Sequence, residues 1–311
     1  VSAPRGWTVG LDVGGTKTLG VLVRPDGTVG GTPLRLPTGH GIDAVVATAA
    51  QAVRGLAEAV PGGTGALVGV GIGLPGVVDP ASGRVEHAVN LGIEDGVPLA
   101  ALVSAALEGA PVQVENDLNA AALGAAHLLP GPATDLAFLA LGTGLAAGLV
   151  LDGRLRRGAR GSAGEIGHLV HVVDGIPCPC GQRGCLEQYA SGSAVGAAWP
   201  VDGDVPPPVA LFAAADAGDP AAVAVRDAFA DAVAAAVRVL VLTTDVAHVV
   251  IGGGVSELGE PLLREVRAAL DRAGEGSAFV AAMQMGERVR LAPHGVPVGA
   301  VGAALAGRRE Y

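Results

Sequence analysis

All three cysteines of this 311-residue chain fall within eight positions, at Cys178, Cys180 and Cys185, and His168 lies ten residues upstream. Three thiolates and one imidazole complete a tetrahedral shell for zinc and leave no ligand position for water, so the metal expected here is structural. Two carboxylates flank the shell: Glu165 is three residues before His168, and Glu187 is two after Cys185. A closed metal with acids at its edges shapes a binding site instead of performing chemistry. The competing reading is three reduced cysteines and a core histidine, and the Cys-x-Cys-x₄-Cys spacing with an upstream His favours zinc. His40, His87, His127, His171, His248 and His294 have no comparable company and read as ordinary.

Glycine turns supply a second kind of chemistry. In Asp12-Val13-Gly14-Gly15-Thr16-Lys17 the glycines free backbone amides to approach phosphate oxygens, Thr16 adds a hydroxyl, and Asp12 is placed to hold Mg²⁺ through water. A plain hairpin turn is the alternative. Gly142-Thr143-Gly144 is weak alone and gains weight from its position in a repeat, described below; Gly252-Gly253-Gly254 follows a strand and would let backbone lie against a flat base. Glu115-Asn116-Asp117 sits where a strand meets a helix. A carboxylate there can take a proton from an attacking hydroxyl, and Asn116 can bond a neighbouring hydroxyl; helix capping by Asn or Asp is the rival reading. Lys17 is the only lysine among twenty basic residues, a pattern that fits either function or coding bias.

The elements that must position these groups follow from local pattern. Residues 7–12 read as a strand, 13–16 as a turn and 18–24 as a second strand. This is a glycine hairpin, and both the dinucleotide fingerprint and the P-loop require a helix after the glycines, so neither fits. Helices are expected over residues 42–60, 97–107, 118–129, 220–242, 261–272 and 298–308, with strands over 67–72, 112–114, 248–251 and 289–291. Residues 201–208 read as a proline-rich loop. At 136–151 the chain starts again with strand, Gly-Thr-Gly turn and strand, an internal repeat of about 130 residues, too long for a solenoid unit. Two related domains follow: residues 1–119 with 298–311, carrying the first turn, and 120–297, carrying the second turn and the metal motif.

Bulk properties set limits. The net charge is −10, which argues against a nucleic-acid surface; the cluster Arg154, Arg156, Arg157 and Arg160 reads as a solvated loop. No stretch reaches the ~18–20 apolar residues of a membrane helix, and the first residues lack the apolar core of a signal peptide. Three clustered cysteines do not form a disulfide framework, so the expected setting is cytoplasmic and reduced.

The combination Gly164-Glu165-Ile166-Gly167-His168 with Cys178-x-Cys180-Gly-x-x-Gly-Cys185-x-Glu187, together with Asp12-x-Gly-Gly-Thr and Glu115-Asn116-Asp117, resembles the ROK family (repressors, open reading frames and kinases) from Asp12 to the final helix. The resemblance implies an α/β fold of two ribonuclease-H-like domains of the actin-like ATPase superfamily, with an inter-domain cleft and a small zinc-binding subdomain. It also implies ATP-dependent phosphorylation of the 6-hydroxyl of a hexose, glucose first. By motif match, Asp117 is the expected general base, and Asn90, Asn116, Glu165, His168 and Glu187 the sugar contacts. Asp12, Gly14, Gly15, Thr16, Lys17, Gly142, Thr143, Gly144, Gly252, Gly253 and Gly254 are the expected nucleotide contacts, and His168, Cys178, Cys180 and Cys185 the zinc ligands. ATP, Mg²⁺ and structural zinc are the implied cofactors, and a homodimer or homotetramer the implied assembly. An N-acetylhexosamine kinase and a sugar-sensing regulator are the alternatives; the intact Asp12 turn argues against a pure sensor, and a first strand at Trp7 leaves no room for a DNA-binding domain ahead of it. The sequence departs from the family at Leu145-Ala146-Ala147, where further glycines are usual, and after Asn90, where an aromatic is usual and Leu91-Gly92-Ile93 stands instead.

Overall fold

The structure is a computed structural model and describes residues 6–131 and 133–308; the two ends of the expected first domain, residues 1–5 and 309–311, lie outside the described residues. In chain order it opens with β1 (Trp7–Val13), β2 (Lys17–Val23), β3 (Val29–Pro37), α1 (Ile42–Ala57), β4 (Leu67–Leu74), β5 (Val77–Asp79), β6 (Arg84–Glu86), α2 (Leu99–Ala106), β7 (Val112–Asn116) and α3 (Asp117–Leu128). There follow β8 (Leu136–Leu141), β9 (Leu145–Leu151), β10 (Arg154–Leu155), α4 (Gly192–Ala198), α5 (Pro207–Asp216), α6 (Pro220–Thr244), β11 (His248–Gly252), α7 (Glu260–Gly274), α8 (Ala278–Ala282), α9 (Met285–Arg288), β12 (Val289–Leu291) and α10 (Val298–Gly307). Two compact units result: Val1–Thr134 with Asp152–Ser162 and Gly295–Tyr311, and Asp135–Leu151 with Ala163–His294.

The repeat expected from the two glycine hairpins is present in the sheets. One runs β3-β2-β1-β4-β7 and the other β10-β9-β8-β11-β12. In each, an antiparallel hairpin is extended by parallel strands: β1 pairs with β2 through Val13↔Thr18 and with β4 in parallel, while β8 pairs with β9 through Leu141↔Leu145 and with β11 in parallel. Val9, Leu11 and Val13 on one face of β1 and Thr8 and Gly10 on the other are all buried, as a central strand covered on both faces requires.

In the first unit, α10 packs on β1, β4 and α3. Small residues make this possible in a chain with few aromatics. A Cβ on Gly302 of α10 would overlap the Ala120 carbonyl oxygen of α3, and one on Gly71 of β4 would overlap the Ala303 carbonyl. Helix and sheet backbones therefore approach more closely than any larger residue allows. The final helix thus belongs to the first unit, as expected. In the second unit, α6 is started by Asp219, whose Oδ1 accepts from Ala221 N at 2.8 Å and Ala222 N at 3.2 Å, with Pro220 opening the helix. Val233, Val237, Leu240 and Val241 of this helix are buried in one core with Leu262 and Val266 of α7 and Leu139 and Ile251 of the sheet.

Three expectations change. A boundary at residue 119 cuts through α3; the compact unit continues to Thr134 and takes back Asp152–Ser162. The proline-rich stretch becomes helix from Pro207, because proline suits the first turn, where its missing N–H has no partner to lose. Strand β3 escaped the sequence because it is an edge strand with most residues exposed, so its apolar period is weak.

Candidate active site

In the first unit, strand ends and helix starts converge. Asp12 stands near the end of β1, and the hairpin turn after it is closed by Gly14 N–H donating to Lys17 O at 3.0 Å. Asn90 backs onto this turn: a Cβ on Gly15 would meet the Asn90 carbonyl oxygen at 3.0 Å. The Asp12 carboxylate also touches the first turn of α10, where a Cβ on Gly299 would stand 3.0 Å from Oδ2. Burial pushes the Asp12 carboxyl up to about 6; the negative charge of Asp117 adds to this and the Lys17 cation opposes it. Asp12, Asp117 and Lys17 therefore share one electrostatic environment. Carboxylate oxygens such as those of Asp12 and Asp117 are the hard donors that Mg²⁺ takes, so these residues fit that ion.

Asp117 is the first residue of α3. Asn116 caps that helix: its Oδ1 accepts from Leu118 N at 3.0 Å and Asn119 N at 3.3 Å. The capping reading therefore holds for the Asn116 oxygen, and its Nδ2 faces Gly76 O at 3.4 Å. Glu115, the third member of the triplet, is buried. Its Oε2 accepts from Arg157 Nε at 2.9 Å and Nη2 at 2.6 Å, and its Oε1 accepts from Asn119 Nδ2 and its neighbour Asn116 N, each at 3.1 Å. This corrects the arginine cluster: Arg156 pairs with exposed Asp152, but Arg157 reaches a buried carboxylate and is not part of a solvated loop.

In the second unit, the metal motif is fastened to the second glycine turn. Gly142 N–H donates to Gly144 O at 3.1 Å within the turn, and Gly142 O accepts from Gly192 N at 2.7 Å at the start of α4. Leu145 N–H donates to Glu187 Oε2 at 3.0 Å, and Ala147 N–H to Gly164 O at 2.8 Å. Gly164 has φ +95°, and a Cβ there would overlap the Ala147 carbonyl, so only glycine allows this crossing. Gly252 ends β11, and Gly253, at φ +89°, lies against Leu141 at the end of β8, which brings the third glycine run beside the second turn. Glu165 is exposed at the start of the single helical turn that ends on His168.

The four candidate zinc ligands do gather. One donor atom from each of His168, Cys178, Cys180 and Cys185 lies within 4.8 Å of the others. Cys180 and Cys185 sulfurs are 3.6 Å apart, and Cys178 Sγ is 4.0 Å from His168 Nδ1. Tetrahedral bonds of about 2.3 Å to sulfur imply edges of about 3.8 Å, so the donor set fits zinc. The Gln182 backbone N–H, and then its side chain, lower the Cys180 thiol to about 6, whereas desolvation and the neighbouring sulfurs push the buried Cys185 up to about 12. A divalent metal reverses that second sign by holding the thiolate directly. Gln182 Nε2 also reaches both sulfurs, at 3.5 and 3.8 Å, and Gln188 Nε2 reaches Cys178 Sγ at 3.6 Å. Sequence reasoning missed these two glutamines and Asn119, and it named Glu115 and Arg157 without seeing that they pair. A capping pattern could have hinted at Asn119; only contact reveals the others.

Two sheets of equal topology, each carrying a glycine-turn hairpin, with a Cys₃His knot fastened to the second turn, define the ribonuclease-H-like fold of the actin-like ATPase superfamily. Within it, the ROK family pattern matches residues 8–309, and the chain belongs to the ROK family. Over 297 residues it is 33% identical to a glucokinase of Halalkalibacterium halodurans, covering 88% of this chain and 89% of that one. A ROK glucokinase of Streptomyces griseus, solved in complex with glucose and AMPPNP, superposes with a TM-score of 0.77 at 33% identity, over 98% of this chain and 100% of that one. A ROK hexokinase of Thermus thermophilus gives 0.76 at 33% identity, over 98% of each chain.

Proposed function

We propose that this protein is an ATP-dependent hexose kinase that phosphorylates the 6-hydroxyl of glucose. The observation that carries this is the match along nearly the whole chain to a glucokinase solved with glucose and an ATP analogue, joined to a glycine-turn hairpin whose Asp12 feels the negative charge of Asp117.

Phosphoryl transfer needs little covalent help from protein; positioning and charge neutralisation dominate. In this reading Asp117 orients the sugar 6-hydroxyl and takes its proton. The Leu118 N–H, which donates to Asp117 Oδ1 at 2.9 Å, steadies that carboxylate at the start of α3. Asn90 and the Asn116 Nδ2 amide are sugar contacts in this reading, as are Glu165, His168 and the remaining acceptor capacity of Glu187. Gly15 and Thr16 in one turn, and Thr143 and Gly144 in the other, offer the phosphate-binding donors, because Gly14 and Gly142 use their own N–H groups inside the turns. Lys17 adds positive charge, and Gly252, Gly253 and Gly254 form the adenosine side. Mg²⁺ held near Asp12 supplies charge neutralisation for the phosphates, and zinc in the Cys₃His knot holds the sugar-binding wall. The assembly expected from the family, a homodimer or homotetramer, is part of the same proposal and is checked by light scattering.

The test is ADP release with glucose, mannose, fructose, N-acetylglucosamine and N-acetylmannosamine, using wild type and Asp117→Asn. Glucose should turn over fastest. The Asp117→Asn variant should lose ~10²–10⁴-fold in kcat while binding glucose nearly as well. Preference for an N-acetylhexosamine would reassign the substrate; near-wild-type turnover by the variant would remove Asp117 from its role.

A further inference from the structure

The Arg157–Glu115 pair carries none of the roles assigned so far. Glu115 is almost fully buried at 1% exposure, and the Glu115 and Arg157 side chains are 2% and 33% exposed. The guanidinium binds a single carboxylate oxygen with two N–H groups, at 2.9 and 2.6 Å. The other oxygen takes Asn119 Nδ2 and the Asn116 amide. One carboxylate thus ties the last residues of β7 to the first turn of α3, on both sides of Asp117, and its charge is matched by one arginine from the segment after β10.

We infer that Arg157 and Glu115 are positioning residues for Asp117: the ion pair holds the junction of β7 and α3 in the geometry that aims the catalytic carboxylate. The inference rests on the reading of Asp117 as general base. The physical argument is asymmetry. A buried ion pair that loses one partner leaves an uncompensated charge, whereas replacing both partners by neutral groups costs little. Without Arg157, the stranded Glu115 carboxylate turns toward water, and that movement withdraws Oε1 from the Asn116 amide and from Asn119 Nδ2. The junction then shifts, and a displacement of about 1 Å of a reacting group costs on the order of 10²-fold in rate. Lysine cannot replace the fork, because it presents one point charge where arginine offers two coplanar donors.

The experiment measures steady-state kinetics and thermal melting for Arg157→Met, Arg157→Lys, the double variant Glu115→Gln/Arg157→Met, and Asp117→Asn. Arg157→Met should lose ~10²-fold in kcat with little change in KM for ATP, and amide exchange at Leu118 and Asn119 should speed up. The double variant should regain most of that loss, since the neutral amide introduced by Glu115→Gln still accepts from Asn119 and Asn116 and no charge is stranded. Should Arg157→Met fail to fold, Arg157→Lys carries the test, and its expected result is a lowered kcat at a near-wild-type melting temperature. Wild-type kcat in a folded arginine variant, or a double variant no faster than Arg157→Met, would overturn the inference. Those results with an inactive Asp117→Asn defeat only the positioning role, whereas an active Asp117→Asn defeats the general-base reading itself.

Discussion

Asp12 offers the sharpest quantitative test. Its carboxyl is raised from 3.8 to about 6, with burial as the largest cause. A group whose native pKa exceeds its unfolded value stabilises the fold only while protonated, so its contribution falls as pH rises from below 3.8 through 6 and then stays constant. At pH 7 the penalty for holding Asp12 ionised is about 3 kcal/mol, from roughly two units at about 1.4 kcal/mol each; at pH 4.5 the same linkage leaves about 1 kcal/mol. Asp12→Asn removes the penalty. Asp12 lies in the first of the two compact units, and for a unit of roughly 150–250 residues about 3 kcal/mol corresponds to about 6–12 °C in Tm. Calorimetry from about pH 4.5 to 8 should find the variant more stable than wild type, by a margin that grows with pH and levels off above about 6. The same substitution should abolish stabilisation by Mg²⁺ and ATP. A margin that is zero at neutral pH, or that shrinks as pH rises, would refute the reasoning.

Two further outcomes follow from packing. Stripping the Cys₃His site with a chelator should weaken glucose binding, and titration calorimetry should also register weaker nucleotide binding. Glu187 connects the knot to the Leu145 amide at 3.0 Å, beside the second glycine turn, which is why both ligands should feel the loss; unchanged affinity for both would make the knot a staple only. Gly302→Ala, which drives a methyl into the Ala120 carbonyl, should cost about 3 kcal/mol or more through overpacking, seen as a denaturation midpoint well below wild type.

Much was legible in the chain because it is written locally. The hairpins around Gly14 and Gly142 follow from alternating apolar residues broken by glycine, and the repeat follows from meeting that pattern twice. The zinc ligands were readable because cysteine is rare here and clustered. The helix expected over residues 220–242, and found at Pro220–Thr244, was legible from its long apolar, alanine-rich stretch. Edge strand β3 and the helix at Pro207 were not legible, the first for want of a buried face and the second because proline opens helices as readily as it breaks them.

The sequence by itself determined the chemistry available: a Cys₃His donor set, two glycine turns, an acid before one of them and an acid at a strand–helix junction. Tertiary structure alone decided how those groups are held. Arg157 and Glu115 are 42 residues apart, as are Glu187 and Leu145. No local period encodes either contact, because each exists only after burial has made an unpaired charge or amide costly. The arginine that looked like solvated surface became the partner of a buried carboxylate for that reason. The metal knot, expected from the sequence to shape a binding site, is for the same reason bonded through Glu187 to Leu145, next to the glycine turn assigned to phosphate.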